Sequence, residues 1–228
     1  MNVAAPLVRL VDNDPRVLRA LVRLLESEGL RTQASLSADE FLAQFDPSVP
    51  GCAILDLSMP DQDGLSLQAA MQRDVQDVQD VPVIFLSGCA DVPSSVRAMK
   101  EGALDFLTKP VEVDTLLEAV HRGIEENRQR RARTEEQRVL HAALDKLTPR
   151  EREILPYLVS GKLNKQIAYD LGVVEKTVKV HRTHVMEKLG VERPADLVRL
   201  ADRLGITPAA RARRPLGQGP IEGRPPQD

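Results

Sequence analysis

Residues 52–64 read CAILDLSMPDQDG. Four small or apolar residues, Cys52 to Leu55, run without polar alternation and stop on a carboxylate, Asp56. An unbroken apolar run of this length reads as a strand buried on both faces, as found in parallel sheets covered by helices. In such sheets ligands bind beyond the carboxyl ends of the strands. Asp56 stands at that end, and Gly64 opens the segment that follows as a helix.

The same grammar repeats on either side. Leu7-Val8-Arg9-Leu10-Val11 reads as a strand. Arg16 to Ser27 has apolar positions at Val17, Leu18, Leu21, Val22, Leu24 and Leu25, the spacing of an amphipathic helix. Gly29 falls where a helix C-terminus wants it. Ser37 to Phe45 is a short helix with Ser37 as its cap. Val81 to Leu86 is a further strand, about Pro93 to Glu101 a helix, Leu104 to Leu107 a short strand, and a last helix begins near Glu112. The order is (βα)5, an α/β layer structure with a parallel sheet. Asp74 to Val81 repeats a triplet, read as a small duplication in a surface connection.

Four strand ends then converge chemically. The first strand ends at Asp12-Asn13-Asp14, the third at Asp56, the fourth at Ser87-Gly88, and the fifth is followed by Lys109-Pro110. Carboxylates, a hydroxyl and an amine are thereby offered to one region.

The second half differs. From Val113 to Leu147 there is no Pro and one Gly, and Glu125 to Arg138 is almost wholly polar, a solvated linker helix or a flexible tether. Thr148-Pro149-x-Glu151 carries an N-cap, a Pro at the first helical position and a Glu at the third. Helices at about 149–160, 164–171, 175–189 and 194–204 follow, and the Pro-, Arg- and Gly-rich tail beyond Ile206 reads as disordered. Gly172 permits a tight turn between the second and third of these helices. Ile167, Ala168 and Leu171 form an inner face, with Val173 and Val178 packed between the pair. That is the pattern of a helix-turn-helix.

Composition sets bounds. With 42% apolar residues, 3% aromatic and no Trp in 228 residues, the cores are aliphatic. No apolar run is long enough to span a bilayer. Cys52 and Cys89 are too few for a disulfide framework or a four-ligand zinc site, and read as small buried fillers in a reduced, cytoplasmic protein. Residues 1–127 carry 10 Lys/Arg against 21 Asp/Glu, a net of −11, and residues 128–207 carry 17 against 11, a net of +6. An acidic half joined to a basic half points to different partners.

Residues 5–125 resemble the receiver domain of two-component response regulators. The strongest match is Leu55-Asp56-Leu57-Ser58-Met59-Pro60-Asp61-x-x-Gly64, and Ala90 to Ala103 resembles the FixJ subgroup in particular. The resemblance implies a doubly wound (βα)5 sheet. Asp56 is then the phosphoacceptor, Ser87 the switch hydroxyl, Lys109 the phosphate-contacting cation followed by a cis proline, and Phe106 the aromatic switch. It also implies Mg²⁺, a hard ion needing oxygen ligands, held by Asp12, Asn13, Asp56 and the Ser58 carbonyl. Asn13 departs from the family, which usually has a second acid there. The amide can still coordinate, but a full charge is missing, so weaker Mg²⁺ binding is expected. Asp14 is expected to point its side chain away.

Residues from Leu147 to Leu189 resemble the LuxR-type output domain of the NarL/FixJ family. The resemblance implies an all-α, four-helix domain whose third helix enters the major groove and whose fourth pairs two subunits. Lys179, Val180 and Thr183 would face base edges, and Lys165, Lys176, Thr177 and Arg182 would hold phosphates. His181 reads as structural, with His184 an isolated companion.

The domain plan is a receiver over 1–125, a helical linker over 126–146, a DNA-binding domain over 147–206 and a tail over 207–228. The function implied is transcriptional regulation, as an activator, by a protein phosphorylated on Asp56 by a sensor histidine kinase. It would bind double-stranded DNA as a homodimer formed on phosphorylation, with RNA polymerase a further candidate partner and no membrane contact. An aspartate-nucleophile phosphatase is the competing enzyme class. Its second carboxylate often lies two residues after the nucleophile, where this chain has Ser58, so turnover of an external substrate is not expected.

Overall fold

The computed structural model describes residues 5–60, 62–73, 81–88 and 92–209. Asp61, most of the 74–81 repeat, Cys89 and the tail from residue 210 lie outside the described residues. Two compact units divide at Glu135 and Glu136.

The first unit alternates strand and helix: β1 Leu7–Val11, α1 Pro15–Ser27, β2 Arg31–Ser35, α2 Ala38–Gln44, β3 Gly51–Asp56, α3 Gly64–Arg73, β4 Val83–Ser87, α4 Val92–Lys100, β5 Asp105–Thr108, and the start of α5 Val113–Asp145. The sheet is wholly parallel in the order β2-β1-β3-β4-β5. β3 is central and buried at every residue. Its pairing aligns Val11 with Leu55 on one side and Asp56 with Leu86 on the other. Those registers bring the ends of β1, β3 and β4 level. Two aliphatic cores cover the sheet faces, one around Leu55, Phe85 and Leu67, the other around Leu10, Ile54 and Leu116.

Sequence pattern located the elements unevenly. β2 reads RTQAS, with no apolar run to mark it. It is an edge strand with one buried residue, Ser35, so packing asks little of its side chains. α1 starts at Pro15, capped by Asp14, whose carboxylate accepts from the Arg16 N–H at 2.8 Å. Ser37 caps α2 through the Glu40 N–H at 3.2 Å.

Glycine is demanded where backbones approach. A Cβ on Gly64 would lie 2.4 Å from the Asp56 carbonyl oxygen and 2.9 Å from the Phe85 ring. A Cβ on Gly123 would lie 3.0 Å from the Cys52 Cβ, so this residue lets α5 settle on β3.

α5 is one helix of 33 residues, so the polar stretch after Glu125 is helical rather than a loose tether. It is not solvated throughout. Asn127 is fully buried, and its Oδ1 accepts from the Gly51 N–H at 2.9 Å. Arg131 donates to the carbonyls of Ser48 at 3.0 Å and of Pro47. Arg9, buried in β1, donates to the carbonyls of Asp46 at 2.8 Å and Val49 at 3.0 Å. Two guanidiniums thus satisfy the exposed carbonyls of the α2–β3 loop, a requirement that any compact loop must meet.

The second unit is helical: the end of α5, α6 Pro149–Val159, α7 Asn164–Leu171, α8 Glu175–Lys188 and α9 Pro194–Arg203. Thr148 and Glu151 form a reciprocal capping box at 3.3 and 2.8 Å. Gly172 ends α7 at φ 63°, the left-handed conformation that turns the chain into α8. Ile154, Ile167, Val178 and Val185 are fully buried in its core, with Leu171 and Val173 against them. After α9, residues 206–209 have no regular structure, and the Ala209 N–H donates to the Pro156 carbonyl at 2.9 Å.

Candidate functional site

The ends of β1 and β3 deliver two carboxylates to one ammonium. Lys109 Nζ lies 2.6 Å from Asp12 Oδ2 and 2.7 Å from Asp56 Oδ1. Asp12 and Asp56 are only 2% and 4% exposed, so each must be compensated nearby. Asp12 Oδ1 also accepts from the Asp14 N–H at 2.8 Å, which fixes its rotamer. Burial works against the Lys109 ammonium, but hydrogen bonds to Asp12 and Asp56 more than offset it, and its pKa is raised. Lys109 is placed by β5 and by the cis Lys109–Pro110 bond, the isomer implied by the family resemblance.

The other predicted residues differ in their surroundings. Ser87 ends β4 and is fully buried. Asn13 and Ser58 are exposed at the ends of β1 and β3. Asp14 is turned to α1 and pairs with Arg16 at 3.1 Å, away from the carboxylates. Phe106 pairs in register with Phe85 across β4 and β5, and is half-buried against the first core.

The donor set suits a hard divalent cation. Two buried carboxylates face one lysine, leaving a negative balance, and among the described residues Asp56 Oδ2 accepts no hydrogen bond. Asp12 and Asp56 could hold Mg²⁺, which requires oxygen ligands, and the amide of Asn13 and the carbonyl of Ser58 are the candidates to complete the set.

In the helical unit, Lys176, Thr177, Lys179, Val180, Arg182 and Thr183 lie on α8, and Lys165 on α7. Lys165, Lys176, Lys179 and Thr183 are exposed, while Thr177 and Arg182 are half-buried. Val180 is 46% exposed, off the core that holds Val178 and Val185. Arg182 reaches α7, donating to Asn164 Oδ1 at 3.1 Å. Among the described residues, none of Lys165, Lys176 and Lys179 forms an ion pair. The outward side of α8 is therefore basic with free ammonium groups, the chemistry that phosphate backbones attract.

Three features escaped the sequence reading. Arg9 is a charge inside a doubly covered strand, and its place amid four apolar residues was the available signal. Asn127 and Arg131 reach back to the receiver loop, a contact that local polarity hides. Glu151 is buried with Lys188 at 2.7 Å and His184 at 3.6 Å. His184 therefore has a neighbour across the helix pair, brought by packing alone.

Known proteins match both units. A response regulator receiver domain model matches residues 8–121, and a luxR-family bacterial regulatory protein model matches residues 145–201. The response regulator protein TmoT of Ectopseudomonas mendocina is 38% identical over 204 residues, 90% of this chain and 91% of TmoT. The transcriptional regulatory protein FixJ of Rhizobium meliloti is 38% identical over 89% of this chain and 98% of its own. Among solved structures, the response regulator StyR matches with a TM-score of 0.80 at 40% identity, covering 88% of this chain and 100% of that one. Full-length FixJ from B. japonicum matches with a TM-score of 0.51 at 31% identity, over 89% and 98%. The chain belongs to the FixJ-like two-component response regulators, a receiver domain followed by a LuxR-type helix-turn-helix domain.

Proposed function

We propose that the protein is a phosphorylation-controlled transcriptional activator, with Asp56 accepting a phosphoryl group from a partner histidine kinase. The observation that carries this reading is the Lys109 ammonium within 2.7 Å of both buried carboxylates. In the transfer, an Asp56 carboxylate oxygen attacks phosphorus, and the P–N bond to the kinase imidazole breaks. Charge grows on the phosphoryl oxygens, and catalysis there is mainly positioning and electrostatic stabilisation. Lys109 donates to one of those oxygens and Ser87 to another. Asp12, Asn13, Asp56 and the Ser58 carbonyl would hold Mg²⁺, which supplies positive charge against the phosphoryl oxygens when bound. No external substrate is turned over.

The output follows as a population shift. Phosphoryl binding draws Ser87, and Phe106 repositions beside it, remodelling the face built from α4, β5 and α5. Receivers then dimerise, and two linked output domains gain DNA affinity through effective concentration. Lys179, Val180 and Thr183 read base edges. Lys165, Lys176, Thr177 and Arg182 hold phosphates. RNA polymerase is the further partner of an activator, and a cytoplasmic location fits. Among the described residues no helix is long and apolar enough to cross a membrane.

Asn13 favours a second reading, a receiver that dimerises without phosphate, because it removes a carboxylate from the metal site. One experiment separates the two. A small-molecule phosphodonor is applied to wild type and Asp56→Asn, reading label, dimerisation and DNA affinity together. Labelling on Asp56 with tighter dimers and tighter DNA binding supports the first reading. DNA binding indifferent to the donor sinks it.

A further inference from the structure

We propose that Glu151, His181 and His184 form a site between α6 and α8 for a borderline divalent cation, with Zn²⁺ the leading candidate. His181 and His184 are three apart on α8, a spacing that sets two side chains on neighbouring parts of one helix face. α6 brings Glu151 against them. One ring nitrogen from each histidine and a carboxylate oxygen of Glu151 lie within 4.8 Å of one another.

A buried, unsatisfied ring nitrogen points to a ligand. Glu151 is 2% exposed, and a desolvated carboxylate needs partners for both oxygens. Oε2 has two: it accepts from the Thr148 N–H at 2.8 Å and from Lys188 Nζ at 2.7 Å. Oε1 lies 3.6 Å from His184 Nδ1, beyond hydrogen-bond distance. His181 Nδ1 is buried without a hydrogen-bond partner among the described residues.

The donor types select the ion. Two imidazoles and one carboxylate suit Zn²⁺ and its neighbours, whereas Mg²⁺ and Ca²⁺ prefer oxygen alone. Ligands around tetrahedral zinc, at bond lengths of roughly 2.0–2.2 Å, stand closer together than 4.8 Å. The Glu151–His184 pair, at 3.6 Å, is already near that spacing, and His184, with half its side chain exposed, has the freedom to adjust. Thr148 and Lys188 would act as outer partners that orient the carboxylate. The Lys188 charge limits the affinity. Loading would tie α6 to α8 by coordinate bonds and stabilise the helical unit by mass action.

The test uses the full chain in excess Mg²⁺, so that the Asp12–Asp56 pocket does not compete for the probe. ZnCl2 is titrated by calorimetry, and thermal unfolding is followed by circular dichroism with and without Zn²⁺. We expect one ion per chain and a higher melting temperature for the helical unit. His184→Ala should weaken binding by more than about tenfold and abolish the shift, while melting normally without zinc. His121→Ala, an exposed histidine on α5, should change neither. Cobalt gives a second readout: visible d–d bands should appear in wild type and vanish in His184→Ala. Zinc binding equally tight in wild type and His184→Ala, or no binding to wild type, overturns the site.

Discussion

In the receiver, Asp12 and Asp56 lie 97 and 53 residues from Lys109, yet all three share one buried ion-pair network. In the helical unit, Lys176, Lys179, Arg182 and Thr183 fall within about two turns of α8, all exposed except the half-buried Arg182. The first cluster is assembled by strand register, the second by helical period. Buried charges in one network depend on each other, because removing one leaves its partners uncompensated in a low-dielectric setting. Exposed charges on a helix face act nearly independently and are screened by salt. Substitution should therefore be close to all-or-none in the pocket and graded on the helix.

The sharpest break of that contrast is Asp56→Asn. We expect it to abolish labelling by a small-molecule phosphodonor, measured by intact-mass spectrometry. Label retained on the variant would remove Asp56 from its role.

Asn127→Ala should destabilise the receiver by about 1–3 kcal/mol, because the Gly51 N–H loses its acceptor inside the fold. Chemical unfolding of the full chain would show this as an earlier receiver transition. An unchanged midpoint would mean that α5 beyond Glu125 adds nothing to the receiver.

On α8 the expected changes are graded. Lys179→Ala should cost about 1–3 kcal/mol on the specific site and relax base preference there. Arg182→Ala should weaken specific and random DNA alike and lower the salt slope by about one. Equal losses on both DNAs for both variants would refute the division of roles. Arg182 also carries the bond to Asn164, so circular dichroism must accompany the binding curves.

Asn13→Asp restores a charge at the rim of the pocket. It should tighten Mg²⁺ binding by on the order of 1 kcal/mol, the value of one charge a few ångströms away in high dielectric. Unchanged Mg²⁺ affinity by titration would show that the side chain at 13 does not meet the ion.

The smallest effect is a pH slope. The Lys188 ammonium and the Thr148 N–H hold Glu151 well below its ordinary 4.5, at about 2. A depressed folded pKa adds stability that is fully present above 4.5 and is lost as pH falls from there toward 2. Glu151→Gln can keep the capping geometry without the charge. Its helical unit should melt with a flatter pH dependence across that window. An identical slope in wild type and variant would remove Glu151 as the source.

Sequence pattern read some regions far better than others. α6 to α9 were legible almost to the residue, because Thr148, Pro149, Gly172 and Pro194 punctuate them and each boundary rests on local chemistry. β2 was invisible, since an edge strand with one buried residue needs no apolar run. The polar middle of α5 left helix and tether open, because the contacts that order its first turns come from Ser48 and Gly51, far away in sequence.

Residue types and spacing alone determined the alternating architecture, the buried strand ending at Asp56, the acidic and basic halves, and the turn at Gly172. These depend on interactions a few residues long. Only the tertiary structure decided that Lys109 bridges Asp12 and Asp56, that Arg9 is buried, and that Glu151 meets His184 and Lys188. Those outcomes depend on which segments pack together, and strand register or helix crossing sets them through the cooperative burial of whole faces. No local pattern records that.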